Sequence, residues 1–245
     1  MRILAVESSG LVASVAVVEE EATLAEYTVN YKKTHSQTLL PMLDEVVKMI
    51  ELDLDTIDAI AVSGGPGSFT GLRIGSATAK GLGLALDKPL IHIPTLDGLA
   101  YNMYGCRDII CPIMDARRKQ VYTGLYAFEA ESLRTLEKQM AIPVAELVER
   151  LNGWRRPVVF LGDGVPVYRE CLDAGLTVAH TYAPAHMNRQ RGASVGALGI
   201  RYFKQGKTET AMEHQPDYLR VSQAERERAE RERAAREDAE QEAQA

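Results

Sequence analysis

Cysteine is scarce in this 245-residue chain: there are three, Cys106, Cys111 and Cys171. They form no CxxC pair and no Cys/His cluster, which excludes a zinc knuckle and a disulfide framework. The five histidines, His35, His92, His180, His186 and His214, stand singly. No HxxxH or HExxH puts two imidazoles on one helix face, so no metal ligand is expected among them. Apolar runs are short as well. None approaches the roughly 18–20 residues of a membrane-spanning helix, and the opening segment reaches Glu7 too early for a secretory leader. The expectation is a cytoplasmic protein. Positive charge is also lacking, with 28 Lys and Arg against 34 Asp and Glu for a net charge of −6. That argues against a chain-wide phosphate-binding surface, because nucleic-acid affinity rests on clustered cations. Any RNA contact is expected to come mainly from another subunit.

What remains is ordinary globular material. Hydrophobic residues make up 46% and charged residues 25% of the chain, enough apolar matter to bury a core. The length allows one large core or two modest ones. Arg2 to Val6 and Ala13 to Val18 are strand-forming runs around Glu7-Ser8-Ser9-Gly10, which predicts a β-hairpin, with a third strand at Leu24 to Val29. From Ser36 to Ile50 the spacing is helical: Leu39, Leu43, Val46 and Ile50 share one stripe, flanked by Leu40, Met42, Val47 and Met49. Apolar side chains thus cover about half the circumference, wider than the roughly 100° of a one-sided surface helix. Two packing partners are predicted for it.

Asp58 to Ser63 reads as a strand running into the turn Gly64-Gly65-Pro66-Gly67-Ser68-Phe69-Thr70-Gly71, followed by a helix from Leu72 to Leu86. That helix is rich in Gly, Ala and Ser, at a cost in propensity that close approach to another backbone would justify. A strand at Pro89 to Ile93 and a helix capped by Thr95 complete a first lobe, residues 1–105. A second lobe, residues 106–221, opens with a hairpin, Ile109 to Met114 and Gln120 to Phe128, around Asp115 to Lys119. It continues with a helix at Val144 to Leu151, a strand at Val158 to Leu161 ending in Gly162-Asp163-Gly164, and a small-residue helix from Ala193 to Phe203. From residue 222 the chain holds no large apolar side chain, so 222–245 reads as a solvated helix or a disordered tail.

The turn could aim backbone N–H groups at an anion, with Glu7, Ser8, Ser9 and Gly10 facing the same cleft as Gly65 and Gly67. It lacks the Gly-Lys-Ser/Thr ending of a P-loop and the GxGxxG of a dinucleotide site. The alternative is a tight strand-to-helix turn that needs glycine for its backbone alone. His35, at a helix start, is expected to cap or to face solvent. Ser8, Ser9 and Ser68 have no evident histidine base, so a hydrolase triad is unsupported. Arg117, Arg118 and Lys119 form the one cationic cluster suited to tRNA.

The run Ser63 to Gly75, SGGPGSFTGLRIG, resembles the signature of the bacterial TsaB (YeaZ) family. Ile3 to Ser9, Thr34-His35-Ser36, Thr95-Leu96-Asp97, Met114 to Arg118, Gly162-Asp163-Gly164 and Pro216 to Arg220 carry the resemblance in order across residues 1–220. It implies an α/β fold of the actin, sugar-kinase and Hsp70 kind. It also implies a role in forming threonylcarbamoyladenosine beside the tRNA anticodon, paired with the catalytic paralogue TsaD and joined by the ATPase TsaE. Where TsaD holds an HxxxH metal pair, the matching residues here are Thr95 and Leu99, so the resemblance implies a non-catalytic subunit with no metal of its own. Its pairing surface, toward TsaD or a second copy, is expected on Ser36, Leu39, Leu40, Leu43, Val47, Leu72, Gly75 and Ala79. ATP or ADP is expected, if anywhere, at the joint with TsaD. The competing expectations are a metal-dependent glycopeptidase-like or nucleotide-using enzyme of the same fold, and a binding module unrelated to tRNA.

Overall fold

The computed structural model describes residues 1–32 and 34–220; the expected tail at 222–245 lies outside them. The chain opens with three antiparallel strands, β1 (Arg2–Glu7), β2 (Val12–Glu19) and β3 (Thr23–Asn30). Helix α1 (His35–Met49) leads to β4 (Ala59–Gly65), α2 (Phe69–Leu86), β5 (Leu90–Pro94) and α3 (Thr95–Tyr101). Strands β4 and β5 join β1 in parallel, giving a five-stranded sheet of order β3-β2-β1-β4-β5. Then the plan repeats. Strands β6 (Ile109–Asp115), β7 (Gln120–Glu129) and β8 (Ser132–Pro143) run antiparallel, α4 (Val144–Trp154) precedes β9 (Val158–Leu161), and α5 (Val165–Gly175) precedes β10 (His180–Tyr182). The second sheet has the order β8-β7-β6-β9-β10, with β9 parallel to β6 and to β10. Two sheets of one strand order are the duplicated architecture of the actin, sugar-kinase and Hsp70 fold.

Burial explains why the central strands are continuously apolar rather than alternating. Along β1, Leu4 and Val6 join the core under α1 and α2, while Ile3 and Ala5 face a second core under α6 (Gly192–Lys204). A strand covered on both faces has no polar side to show. In β6, Ile109, Cys111 and Ile113 face one core while Ile110 and Met114 face the other. The chain beyond residue 105 does not stay with the second sheet. Helix α6 packs on β1, β2 and β5, and its first N–H groups are held by β2 and β3, Gly192 N–H by Ser14 Oγ at 2.8 Å and Ala193 N–H by Glu26 Oε1 at 3.0 Å. The expected second lobe at 106–221 therefore contains, in space, a helix of the first.

Two local expectations are corrected. Thr95 is the first helical residue of α3 rather than its cap, and its hydroxyl instead accepts Gly65 N–H at 3.2 Å. Helix α2 begins at Phe69, before the expected Leu72, because Ser68 caps it, accepting Gly71 N–H at 3.3 Å.

Candidate functional site: the cleft at the glycine turn

The β1–β2 turn, the start of α1 and the glycine turn after β4 form one wall of a cleft of about 610 Å³. Asp115 at the end of β6 with Ala116 and Arg117 beyond it, Asp163 after β9, and residues Asp217 to Arg220 form the other. The wall is built from the buried carboxylate of Glu7, which accepts Ser9 N–H at 2.7 Å, Ser9 Oγ–H at 2.5 Å and the hydroxyl of Ser63. Burial raises the affinity of Glu7 for its proton, against the pull of the Ser63 and Ser9 donors and of His35. Ser8 points away from the cleft and donates to Gly71 O at 2.9 Å, tying the hairpin to α2. His35 neither caps α1 nor stands free in solvent: its Nε2 lies 2.8 Å from Gly10 O and holds the turn.

The glycines of the turn answer to close backbone approach. Gly65 sits at φ +126°, and a Cβ there would lie 2.2 Å from Asp217 O; one on Gly67 would lie 2.2 Å from Ser9 O. Several N–H groups are already committed inside the turn. Ser9 N–H goes to Glu7, Gly65 N–H to Thr95, Ser68 N–H to Ser9 O at 2.6 Å and Gly71 N–H to Ser68. Of the expected anion loop, Ser9, Gly10 and Gly67 line the cleft, while Glu7 and Ser8 support it from behind.

On the facing wall, Asp115 Oδ1 accepts Arg117 N–H at 2.9 Å and Tyr168 O–H at 2.8 Å, and Asp163 accepts Asp115 N–H at 3.2 Å. Burial raises the proton affinity of Asp163. The connection through Arg117, Arg118 and Lys119 is exposed and runs at φ +61°, +54° and +59°, a left-handed stretch without glycine that stores backbone strain. Arg220 closes the far end, donating to Ala116 O at 2.6 Å.

The expected pairing surface needs correction at five of its eight positions. Leu39, Leu43, Leu72 and Ala79 are core residues, and Gly75 is buried against Ser8 Oγ, where a Cβ would come to 2.2 Å. The small residues of α2 at 71 and 75 admit the chain's own hairpin rather than another molecule. The exposed positions of α1 include Ser36, Leu40 and Met49 beside the polar Gln37, Asp44, Glu45 and Lys48, with Val47 half-buried; those of α2 include Arg73, Ala77, Gly81 and Leu84. Leu40 is 56% exposed and Leu84 60%, on two helices that touch, while Met49, 74% exposed, lies nine residues from Leu40 and so about 180° around α1 from it.

A further cluster joins residues far apart in the sequence. His92 on β5 and His214 near the C-terminal end of the described chain come together with Glu209, one donor atom from each lying within 4.8 Å of the others. Histidines isolated in sequence are thus not isolated in space. Thr95 and Leu99, by contrast, are buried and offer no such set.

Residues 22–228 match the family model described as TsaD, tRNA N6-adenosine threonylcarbamoyltransferase. The chain is 32% identical over 225 residues to the tRNA threonylcarbamoyladenosine biosynthesis protein TsaB of Bacillus subtilis, covering 92% of this chain and 96% of that one. It is 30% identical to the protein of the same name from Escherichia coli, over 90% of this chain and 95% of that one. The solved structure of YeaZ from Pseudomonas aeruginosa superposes with a TM-score of 0.76 at 25% identity, covering 89% of this chain and 99% of the other.

Proposed function

This chain belongs to the TsaB (YeaZ) family, and on that premise we propose that it serves in the synthesis of threonylcarbamoyladenosine beside the anticodon of tRNAs reading ANN codons, as the required non-catalytic subunit that scaffolds and activates TsaD. The observation that carries this reading is chemical. At the two positions matching TsaD's metal pair stand Thr95, whose hydroxyl is engaged by Gly65 N–H, and Leu99, which has no ligand atom. A threonylcarbamoyl transfer run from this cleft would lack the centre that polarises the reacting carbonyl.

The contribution of the chain is then a surface. The exposed Leu40 of α1 and Leu84 of α2 support pairing with the corresponding helices of TsaD, or with a second copy of this chain when TsaD is missing. TsaE joins that pair, and ATP or ADP binds at its joint rather than to this chain alone. Contact with tRNA passes through the assembly, Arg117, Arg118 and Lys119 being the cluster this chain would add. No helix among the described residues is long and apolar enough to cross a membrane.

Mixing purified chain with TsaD and following both by size-exclusion chromatography tests the pairing. The expected result is one co-eluting 1:1 species that binds ADP more tightly than either component. Separate elution at micromolar concentration removes the basis of the proposal.

A further inference from the structure

Behind the glycine turn, away from the cleft, the last described segment crosses the edge of the first sheet. Glu209 pairs with Leu90 of β5 through two backbone hydrogen bonds, N–H of Leu90 to O of Glu209 at 2.8 Å and the reverse at 2.9 Å. The segment then turns so that Asp217 N–H reaches Gly64 O at 2.6 Å, and Lys80 of α2 holds His214 O at 3.0 Å. The side chains gathered under this strap are His92, Glu209 and His214.

Two features of the cluster are not explained by folding alone. His214 is buried, with 1% of its surface exposed, and only one of its ring nitrogens is paired: Nδ1 lies 2.6 Å from Glu209 Oε1, while Nε2 has no hydrogen-bond partner. Nδ1 and the Glu209 carboxylate already face one another, so an ion taking the place of the proton between them would be held by both side chains. The second feature is the placement of His92. Its ring lies so close over the turn that a Cβ on Gly64 would fall 2.1 Å from Cε1, so the turn itself holds the imidazole against the strap. The rings of His92 and His214 stand 5.7 Å apart between centroids.

We propose that His92, His214 and Glu209 form a binding site for a divalent transition-metal ion of the zinc class, which clips the C-terminal strap to β5. Two imidazoles and a carboxylate are a donor set that such ions prefer over magnesium or calcium. Tetrahedral zinc at about 2.0–2.1 Å from each donor sets the donors about 3.3 Å apart, so atoms now within 4.8 Å of one another need to close by no more than about 1.5 Å. Asp217 stands beside the three donors, its Oδ2 3.7 Å from His92 Nε2. Because Asp217 to Arg220 also line the cleft, the ion would fix one edge of it from behind. The inference rests on these residues and not on the proposed pairing with TsaD.

The test uses Zn²⁺ alone, titrated calorimetrically into the full chain carrying Cys171→Ser, so that the exposed thiol does not compete. His214 is too buried to be a safe target; His92→Gln and Glu209→Gln change half-buried side chains, and circular dichroism verifies their folding. The expected result is one ion per chain, a higher melting temperature with zinc, and an affinity at least about 10-fold weaker in each variant. His180→Gln, at the separate His180–Asp173 pair, should bind as the parent does. Absence of saturable 1:1 binding would overturn the proposal. So would binding that survives unchanged in both His92→Gln and Glu209→Gln, or that falls with His180→Gln.

Discussion

Neighbouring leucines on α1 separate fold from assembly. Leu39 is 1% exposed and lies in the core between the first sheet and the helices; Leu40, one residue on, is 56% exposed on the outer face. Leu39→Ala should destabilise the chain by about 2–5 kcal/mol, the range for removing a buried leucine. At about 2–4 °C per kcal/mol for a chain of this size, that lowers the melting temperature by about 4–20 °C. Leu40→Arg removes little from the core, so stability should stay within about 0.5 kcal/mol of the parent. In a pairing surface the same change matters more. Burying the remaining half of a leucine is worth about 1 kcal/mol, and a buried unpaired guanidinium adds further cost. A total near 2 kcal/mol weakens pairing about 30-fold. Thermal unfolding of each variant, with a binding titration against TsaD and a sedimentation measurement of self-association, reads both quantities. The reasoning is refuted if Leu40→Arg pairs as tightly as the parent, or if it melts as low as Leu39→Ala.

Gly75→Arg offers a contrast: with Ser8 Oγ 2.2 Å from the added Cβ, it should abolish soluble folded chain rather than only its pairing, as judged by circular dichroism. Glu7 predicts a pH signature. Burial raises its proton affinity above the ordinary value of 4.5, so the folded chain binds more protons than the unfolded one just above that pH. Its contribution to stability therefore falls as pH rises from 4.5 through the raised folded value, and Glu7→Gln should flatten that part of a urea-unfolding profile; parallel profiles would show that burial does not dominate. Gly67→Ala places a Cβ 2.2 Å from Ser9 O and should cost at least about 1–3 kcal/mol, with the cleft distorted even where the fold survives.

Much of the fold was legible because its signals are local. The runs at Ile3–Val6, Ala59–Val62 and Ile109–Ile113 are apolar on both faces, and the breaks at Gly64–Gly67 and Gly162–Gly164 punctuate them. Strand β8 escaped notice because SLRTLEKQMAIP is an edge strand with few buried residues, so its apolar alternation is diluted by charge. Helix α5 opens with Pro166 after a glycine turn and reads as loop until the segment is seen packed on α4. The outer face of α1 was misjudged for a different reason. Apolar residues on half a helix cannot say which stripe meets the sheet, and Leu39 and Leu43 prove to be the inner one. The cluster of His92, Glu209 and His214 depends on a strap that returns to β5 more than a hundred residues later. No spacing rule reaches across that distance.

The central claim is that this chain contributes a surface to TsaD and no chemistry of its own. Its most direct test is the rate of threonylcarbamoyladenosine formation in tRNA at fixed TsaD, TsaE, ATP and threonylcarbamoyl-AMP, with this chain titrated in. The account predicts a rate that rises from near zero, saturates when the chain equals TsaD, and is absent when TsaD is omitted. A rate indifferent to the chain, or product formed without TsaD, would contradict it.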